Sequence, residues 1–359
     1  MRSSSRGRPP TGQSSARKRR VAGALAAAAV AWSAADAGAV TSSRLTYISA
    51  PTSSGASPQL VLARANGAGA HALGPASTAV LSPDGAYVAA VGPGHGSPAT
   101  GSTLVLYAVG SKKPARTLRV SAAQLTILAW APDDGWIAVT DGNSLVAVPL
   151  HGAARTLVTG TIAGASFAPH PPDRLVFAQA ASLQVGAQVN LFRVNMTGGQ
   201  TTQLTSAGLN EYPLWGPGGI VYSHAASSSG SPLQLWRLTG AHAKAITDVT
   251  LNPPWTGFEP VALSANGQHL LANLVGDNAS QAWCINLDAS PVAEHALSAA
   301  GTTTIGNAIS RDGSEVLMTE GAGTLAGDDY SKSTVAVVPW NGGAAKTVAQ
   351  HSAFASWDR

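Results

Sequence analysis

A single cysteine, Cys284, stands among 359 residues, so no intrachain disulfide can form in any redox compartment. It sits in the alternating run Gln-Ala-Trp-Cys-Ile-Asn-Leu and reads as a small buried apolar residue. Charge is sparse as well: Asp, Glu, Lys and Arg make up 11% of the chain, against 39 Gly and 22 Pro. That balance favours a turn-rich all-β chain. No stretch after residue 39 sustains a helical period, which excludes a helical repeat. Several chemistries lack their motifs. There is no Gly-x-Ser-x-Gly elbow; the nearest approach, Gly164-Ala-Ser-Phe-Ala168, misses the last Gly, so Ser166 is not read as a nucleophile. The nine His residues are scattered singly, without His-x-His or His-Glu-x-x-His spacing. The stretch from Glu320 to Asp329 lacks the Asp-x-Asp-x-Asp-Gly pattern of a calcium loop and reads as solvated. No catalytic residue, metal site or cofactor is expected.

What is present begins with a leader. Arg17, Lys18, Arg19 and Arg20 precede an apolar stretch from Val21 to Ala35, and Ala37-Gly38-Ala39 fits a cleavage site before Val40. Residues 1–39 are expected to be a signal peptide and the protein to be exported, periplasmic or extracellular. An uncleaved membrane anchor is the alternative, but the stretch is short for a span of roughly 20 strongly apolar residues, and no membrane span is expected after cleavage. Seven of the 22 basic and one of the 18 acidic residues lie in the leader, leaving 15 and 17, a formal net of −2. A basic nucleic-acid surface is thereby excluded. The cluster Lys112, Lys113, Arg116 and Arg119 reads as a solvated turn.

From residue 40 onward a repeat organises the chain. Leu81-Ser-Pro-Asp-Gly85, Trp130-Ala-Pro-Asp-Asp-Gly135, Phe167-Ala-Pro-His-Pro-Pro-Asp173, Trp215-Gly-Pro-Gly-Gly219, Leu263-Ser-Ala-Asn-Gly267 and Ile309-Ser-Arg-Asp-Gly313 each lead into an apolar strand. Ala355-Ser-Trp-Asp358 is a truncated seventh copy. Counted from each second residue, the copies fall at 82, 131, 168, 216, 264, 310 and 356, at intervals of 37 to 49 residues. Such a period is that of a propeller blade, with Asp-Gly or Asn-Gly supplying the positive φ of a hairpin. Further alternating pairs follow each turn, such as Asn190-Leu-Phe-Arg-Val-Asn with Thr202-Gln-Leu-Thr.

The apolar-Ser-Pro-Asp-Gly motif, its apolar strand and the Leu-Phe-Arg-Val-Asn-Met-Thr-Gly-Gly pair resemble the TolB-like β-propeller repeat over nearly all of residues 40–359. The resemblance implies an all-β propeller of four-stranded blades and is nearly silent on activity. Six full units, plus one blade built from Arg44-Leu-Thr-Tyr-Ile-Ser, Gln59-Leu-Val-Leu-Ala-Arg, Ala70-His-Ala-Leu and the C-terminal strand, predict seven blades, with six as the alternative. The family's TolB has six blades behind an α/β domain for which this sequence shows no counterpart. Oligogalacturonate lyases are similar in architecture but hold a metal through His residues that are missing here.

One constellation points to binding. Four residues before the apolar turn position, neighbouring repeats carry Glu211 and Glu259, where the others have Ser77, Thr126, Ala163, Ile305 and His351. Inner strands line a propeller's channel, so both carboxylates are expected at one opening. With Tyr212, Trp255 and Phe258 they would bind a cationic or amine-bearing ligand, or a peptide N-terminus. Capping of strand ends by the two glutamates is the competing expectation. The sequence thus predicts a non-catalytic binding or scaffold propeller for a protein or small-molecule ligand. The alternative is a propeller enzyme, a lyase or lactonase-like hydrolase, acting at the channel mouth.

Overall fold

The computed structural model describes residues 43–50, 57–92, 102–121, 125–182, 187–227, 231–277, 279–289, 292–297, 303–310, 312–321 and 331–358. The expected leader and most of the Glu320–Asp329 loop lie outside them. Every regular element among the described residues is a strand, and none is a helix that could cross a membrane.

Antiparallel hairpins group the strands in fours, as the Gly-rich turns dictate. The first sheet contains β1 (Arg44–Ser49), β2 (Gln59–Arg64) and β3 (His71–Pro75), with β28 (Ser352–Trp357) added beside β1. Next come β4 (Thr78–Leu81), β5 (Tyr87–Gly92), β6 (Ser102–Ala108) and β7 (Pro114–Ser121), then β8 (Thr126–Trp130), β9 (Trp136–Thr140), β10 (Ser144–Pro149) and β11 (Arg155–Thr159). β12 (Ile162–Phe167), β13 (Arg174–Ala180), β14 (Val189–Asn195) and β15 (Thr202–Gln203) share an eight-stranded sheet with β16 (Leu209–Gly216), β17 (Gly219–Ala225), β18 (Gln234–Thr239) and β19 (His242–Ala245). β20 (Trp255–Leu263), β21 (His269–Gly276), β22 (Ala279–Asn286) and β23 (Ala293–Ala296) form another sheet of four, as do β24 (Thr303–Ile309), β25 (Glu315–Gly321), β26 (Ser333–Pro339) and β27 (Lys346–Gln350). Hydrogen bonding therefore yields five four-stranded sheets and one of eight, not seven separate ones. The cause is local: a parallel contact, Val189↔Leu209, ties β14 to β16 and merges two groups of four.

The second strand of each group is buried on both faces, and the apolar core lies between groups. Leu104 and Leu106 meet Ile137 and Val148, Val221 and Leu235 meet Leu270 and Ile285, and Leu317 and Val335 meet Leu45 and Ala63. First strands neighbour one another in the order β28, β4, β8, β12, β16, β20, β24 and again β28. This arrangement of four-stranded blades is a β-propeller.

Three of the turns that follow a first strand share one construction. Ser82 Oγ accepts from Tyr87 N at 2.9 Å and donates to Asp84 Oδ1 at 2.6 Å, while Asp84 Oδ1 accepts from Ala86 N at 2.8 Å. Ser264 with Asn266, and Ser310 with Asp312, repeat it. The seventh copy departs from the expected alignment by two residues. Asp358 N donates to Arg44 O at 3.2 Å, and the Asp358 carboxylate accepts from Arg44 N at 3.1 Å, so Asp358 and not Ser356 stands where Ser82 does. Ser356 Oγ instead accepts from Leu81 N in the next unit at 3.2 Å, as Ser166 Oγ accepts from Trp215 N at 3.0 Å. That bond gives Ser166 a structural part. The counterpart of Glu211 in β28 is accordingly Ala353, not His351.

Two further corrections concern charge and turn length. Arg116 is not merely solvated: its guanidinium donates to Pro149 O at 2.6 Å and Leu150 O at 2.9 Å in the next unit. Arg155 reaches Met196 O at 3.1 Å and His295 Nε2 reaches Trp340 O at 2.9 Å in the same manner, so outer strands clamp neighbouring units. Turns spanning Leu81↔Val88, Trp130↔Ile137, Leu263↔Leu270 and Ile309↔Val316 enclose six residues, whereas Trp215↔Ile220 encloses four. Cys284 is buried as expected, its thiol pushed up to about 12 by desolvation.

Candidate functional site

The first strands lining the centre carry no Lys, Arg, His or Asp among their residues, and Glu211 and Glu259 are their only charges. Each is anchored from both sides. Glu211 lies opposite Ser223 and Glu259 opposite Asn273, equivalent places in their hairpins. Two residues earlier, Leu209 pairs with Val189 and Gly257 pairs with Leu233, in each case a parallel contact to the preceding unit. Asn210 fixes the first junction further, donating to Val189 O at 2.9 Å and Ala207 O at 2.8 Å. Gly257 is required at the second: its φ is +150°, and a Cβ there would stand 2.5 Å from Leu233 N.

Tyr212 comes from an irregular point in β16. Pairing slips between Glu211 and Leu214, and Tyr212 takes φ +51°. A bulge of this kind re-aims a side chain; without it, strand alternation would send Tyr212 to the face opposite Glu211. The ring stays 37% exposed, and its hydroxyl lies within the field of the Glu259 and Glu211 carboxylates. Burial, followed by the charges of Glu259 and Glu211, raises the phenol well above its ordinary range. Burial also raises both carboxyls. At Glu259 the Tyr212 hydrogen bond opposes that rise and the Glu211 charge adds to it. Glu211, Tyr212 and Glu259 therefore share one electrostatic neighbourhood. Among the described residues no backbone N–H donates to either carboxylate.

The two remaining expected residues lie elsewhere. Phe258 is fully buried and packs edge-on against Trp283 at 5.7 Å, inside the core between units. Adjacent residues of a strand face opposite sides, so its place beside Glu259 puts its ring away from the carboxylate. Trp255 has the same parity as Glu259, but pairing slips between Trp255 and Gly257, and its ring packs on the Phe258 side. A second exposed aromatic, Phe354, was not anticipated: it sits on β28 at φ +50° and 39% exposure. The signal for it was the apolar residue of Ser-Ala-Phe-Ala-Ser, once the last repeat is aligned on Asp358.

The fold and this central acidic pair define a class: the chain is a β-propeller. No protein-family model and no curated protein matches the sequence. Among solved structures, the β-propeller domain of the Trilobed protease from Pyrococcus furiosus aligns with a TM-score of 0.60 at 11% identity, over 86% of this chain and 95% of that one. A prolyl endopeptidase also gives 0.60, at 13% identity, over 88% of this chain and 49% of its own. TolB from Acinetobacter baumannii matches at 13% identity and TM-score 0.49, over 88% of this chain and 66% of that chain. These are likenesses of fold, and the chain spans about two thirds of that TolB and about half of the endopeptidase.

Proposed function

We propose that this protein is an exported binding or scaffold propeller whose channel takes up a positively charged group at Glu211 and Glu259. The observation that carries the reading is that these two carboxylates, the only charges on the central strands, share Tyr212 and have no cationic partner among the described residues. A partly buried pair of like charges is costly unless a cation offsets it. Tyr212 adds an aromatic surface suited to an ammonium group.

The eight-stranded sheet is taken as two blades, which makes seven, with β28 and β1 to β3 sharing the last and closing the ring. Supporting this are the cyclic order of the first strands and the β1–β28 pairing. Residues 1–39 serve as the export signal.

The test is a calorimetric titration with a short peptide bearing a free N-terminal amine, against the same peptide N-acetylated. The free amine is expected to bind, and acetylation or the double change Glu211→Gln and Glu259→Gln to weaken it at least tenfold. Burial raises both folded-state pKa values, so ionised glutamates oppose folding above the ordinary carboxyl range; the double variant should be at least as stable at pH 7. Equal affinity for both peptides, or retention of binding by the variant, would sink the reading.

A further inference from the structure

Two seams, one of them between β17–β18 and β21–β22, depart from the other five at one place. In five seams the third-strand residue facing the next unit near the turn is apolar and buried: Leu62, Leu106, Ala147, Cys284 and Val337. Between β17–β18 and β21–β22 it is Arg237, half-buried, opposite Val221 on one side and Lys244 on the other. Arg193 holds the same place in the preceding seam. Arg237 has no hydrogen bond or ion pair among the described residues, and its cross-strand neighbour Lys244 is a second cation. Like charges directly opposite destabilise a sheet pair, and a guanidinium taken partly out of water without an acceptor costs free energy.

The turn beside it is the one shortened to four residues, Trp215↔Ile220. Gly216 replaces the serine and Gly218 the acid of the Ser-x-Asp-Gly construction, so the side-chain acceptor that Asp84, Asn266 and Asp312 supply in their own turns is missing. What remains is a shallow crevice, open to solvent and lined by Gly216, Gly218, Gly219, Arg237, Leu263 and Gly267. A Cβ on Gly218 would lie 3.8 Å from Arg237 Nη1, so the guanidinium borders the vacated side-chain position.

We infer that this crevice is an anion site, in which Arg237 receives a small oxyanion, phosphate or carboxylate, in place of the turn aspartate. A planar guanidinium suits bidentate recognition of either group. The site is separate from the acidic pair on the central strands and takes ligands of opposite charge.

Calorimetric titration of the full chain with inorganic phosphate, and separately with acetate, at constant ionic strength tests this. Saturable binding of at least one anion is expected, and the stronger of the two identifies the source. Arg237→Leu, which restores the residue type of the other five seams, should weaken it at least tenfold. Gly218→Asp, which supplies an internal carboxylate at an unstrained position, should do the same without touching Arg237. Arg193→Leu should leave binding unchanged. Absence of saturable binding for both anions, or binding that survives Arg237→Leu and Gly218→Asp, overturns the inference.

Discussion

Asp134 shows how one residue can weaken a joint between blades. It takes φ +62°, a conformation that Asp and Asn tolerate better than most residues. Its Oδ1 accepts from Asp84 N of the neighbouring turn at 3.1 Å. Burial, together with the charges of Asp84 and Asp133, raises its carboxyl to about 6. A folded-state pKa above the unfolded value means that stability is fullest below pH 4 and falls as pH rises to about 6. Two units amount to roughly 3 kcal/mol at full strength, and solvent access reduces that to about 1 kcal/mol. Asp134→Asn imitates the protonated acid, keeping both the acceptor for Asp84 N and a donor towards the Asp84 carboxylate. Urea unfolding should find the variant about 1 kcal/mol more stable at pH 7 and no different at pH 3.5. An equal gain at both pH values would assign the effect to something other than this carboxyl.

At the scale of elements, the outer-strand clamps join units that share few backbone bonds. Hydrogen bonds to charged donors contribute about 1.5–3 kcal/mol, and Arg116 is half-buried with three carbonyl acceptors, Pro149 O, Leu150 O and Gly152 O. Arg116→Ala should lower unfolding stability by about 1–2 kcal/mol, whereas removing Lys112, exposed in the turn before β7, should cost under ~0.5 kcal/mol. Equal effects from both would mean the clamp holds nothing. Turns such as Ser82–Tyr87 were legible in the sequence because their chemistry is local: a hydroxyl, a carboxylate and a glycine at fixed offsets. The last repeat was misaligned for the same reason. Ser356 matched the pattern, but the bond that defines the turn there comes from Arg44, far away in sequence, and is taken by Asp358. The acidic pair was legible because Glu211 and Glu259 keep the repeat's spacing. Trp255 was not, because a slip in pairing reverses the faces of a strand without leaving a mark in composition. Arg237 had a faint signal, the Arg shared by Leu-Phe-Arg-Val and Leu-Trp-Arg-Leu, but its lack of a partner is a property of the packed seam alone.

For the whole molecule, the decisive contact is β28 with β1, which buries Ala353, Ala355 and Trp357 against the first sheet. Deleting residues 352–359 would leave β1 with an unpaired edge and strip its inner face. Unpaired edges invite association with other chains. The loss of stability should be on the order of 5 kcal/mol, a large part of what a domain possesses. Thermal unfolding and light scattering of the truncated protein check this, and a melting curve like that of the intact protein would refute it.

The Arg44–Asp358 bond spans 314 residues of sequence, and this has a consequence for how the chain acquires its shape over time. Each group of hairpins can form soon after its own residues emerge, since its partners are near in sequence. The first group cannot be completed then, because its fourth strand, β28, follows all the other strands in sequence. Until β28 is in place, a strand position beside β1 stays vacant, and an unpaired edge of this kind invites association with other chains. The intervening blades shorten the search by bringing the two ends together, so the entropy of closing a loop of this length is met in small steps. Docking of β28 then covers the edge of β1 and completes the first group.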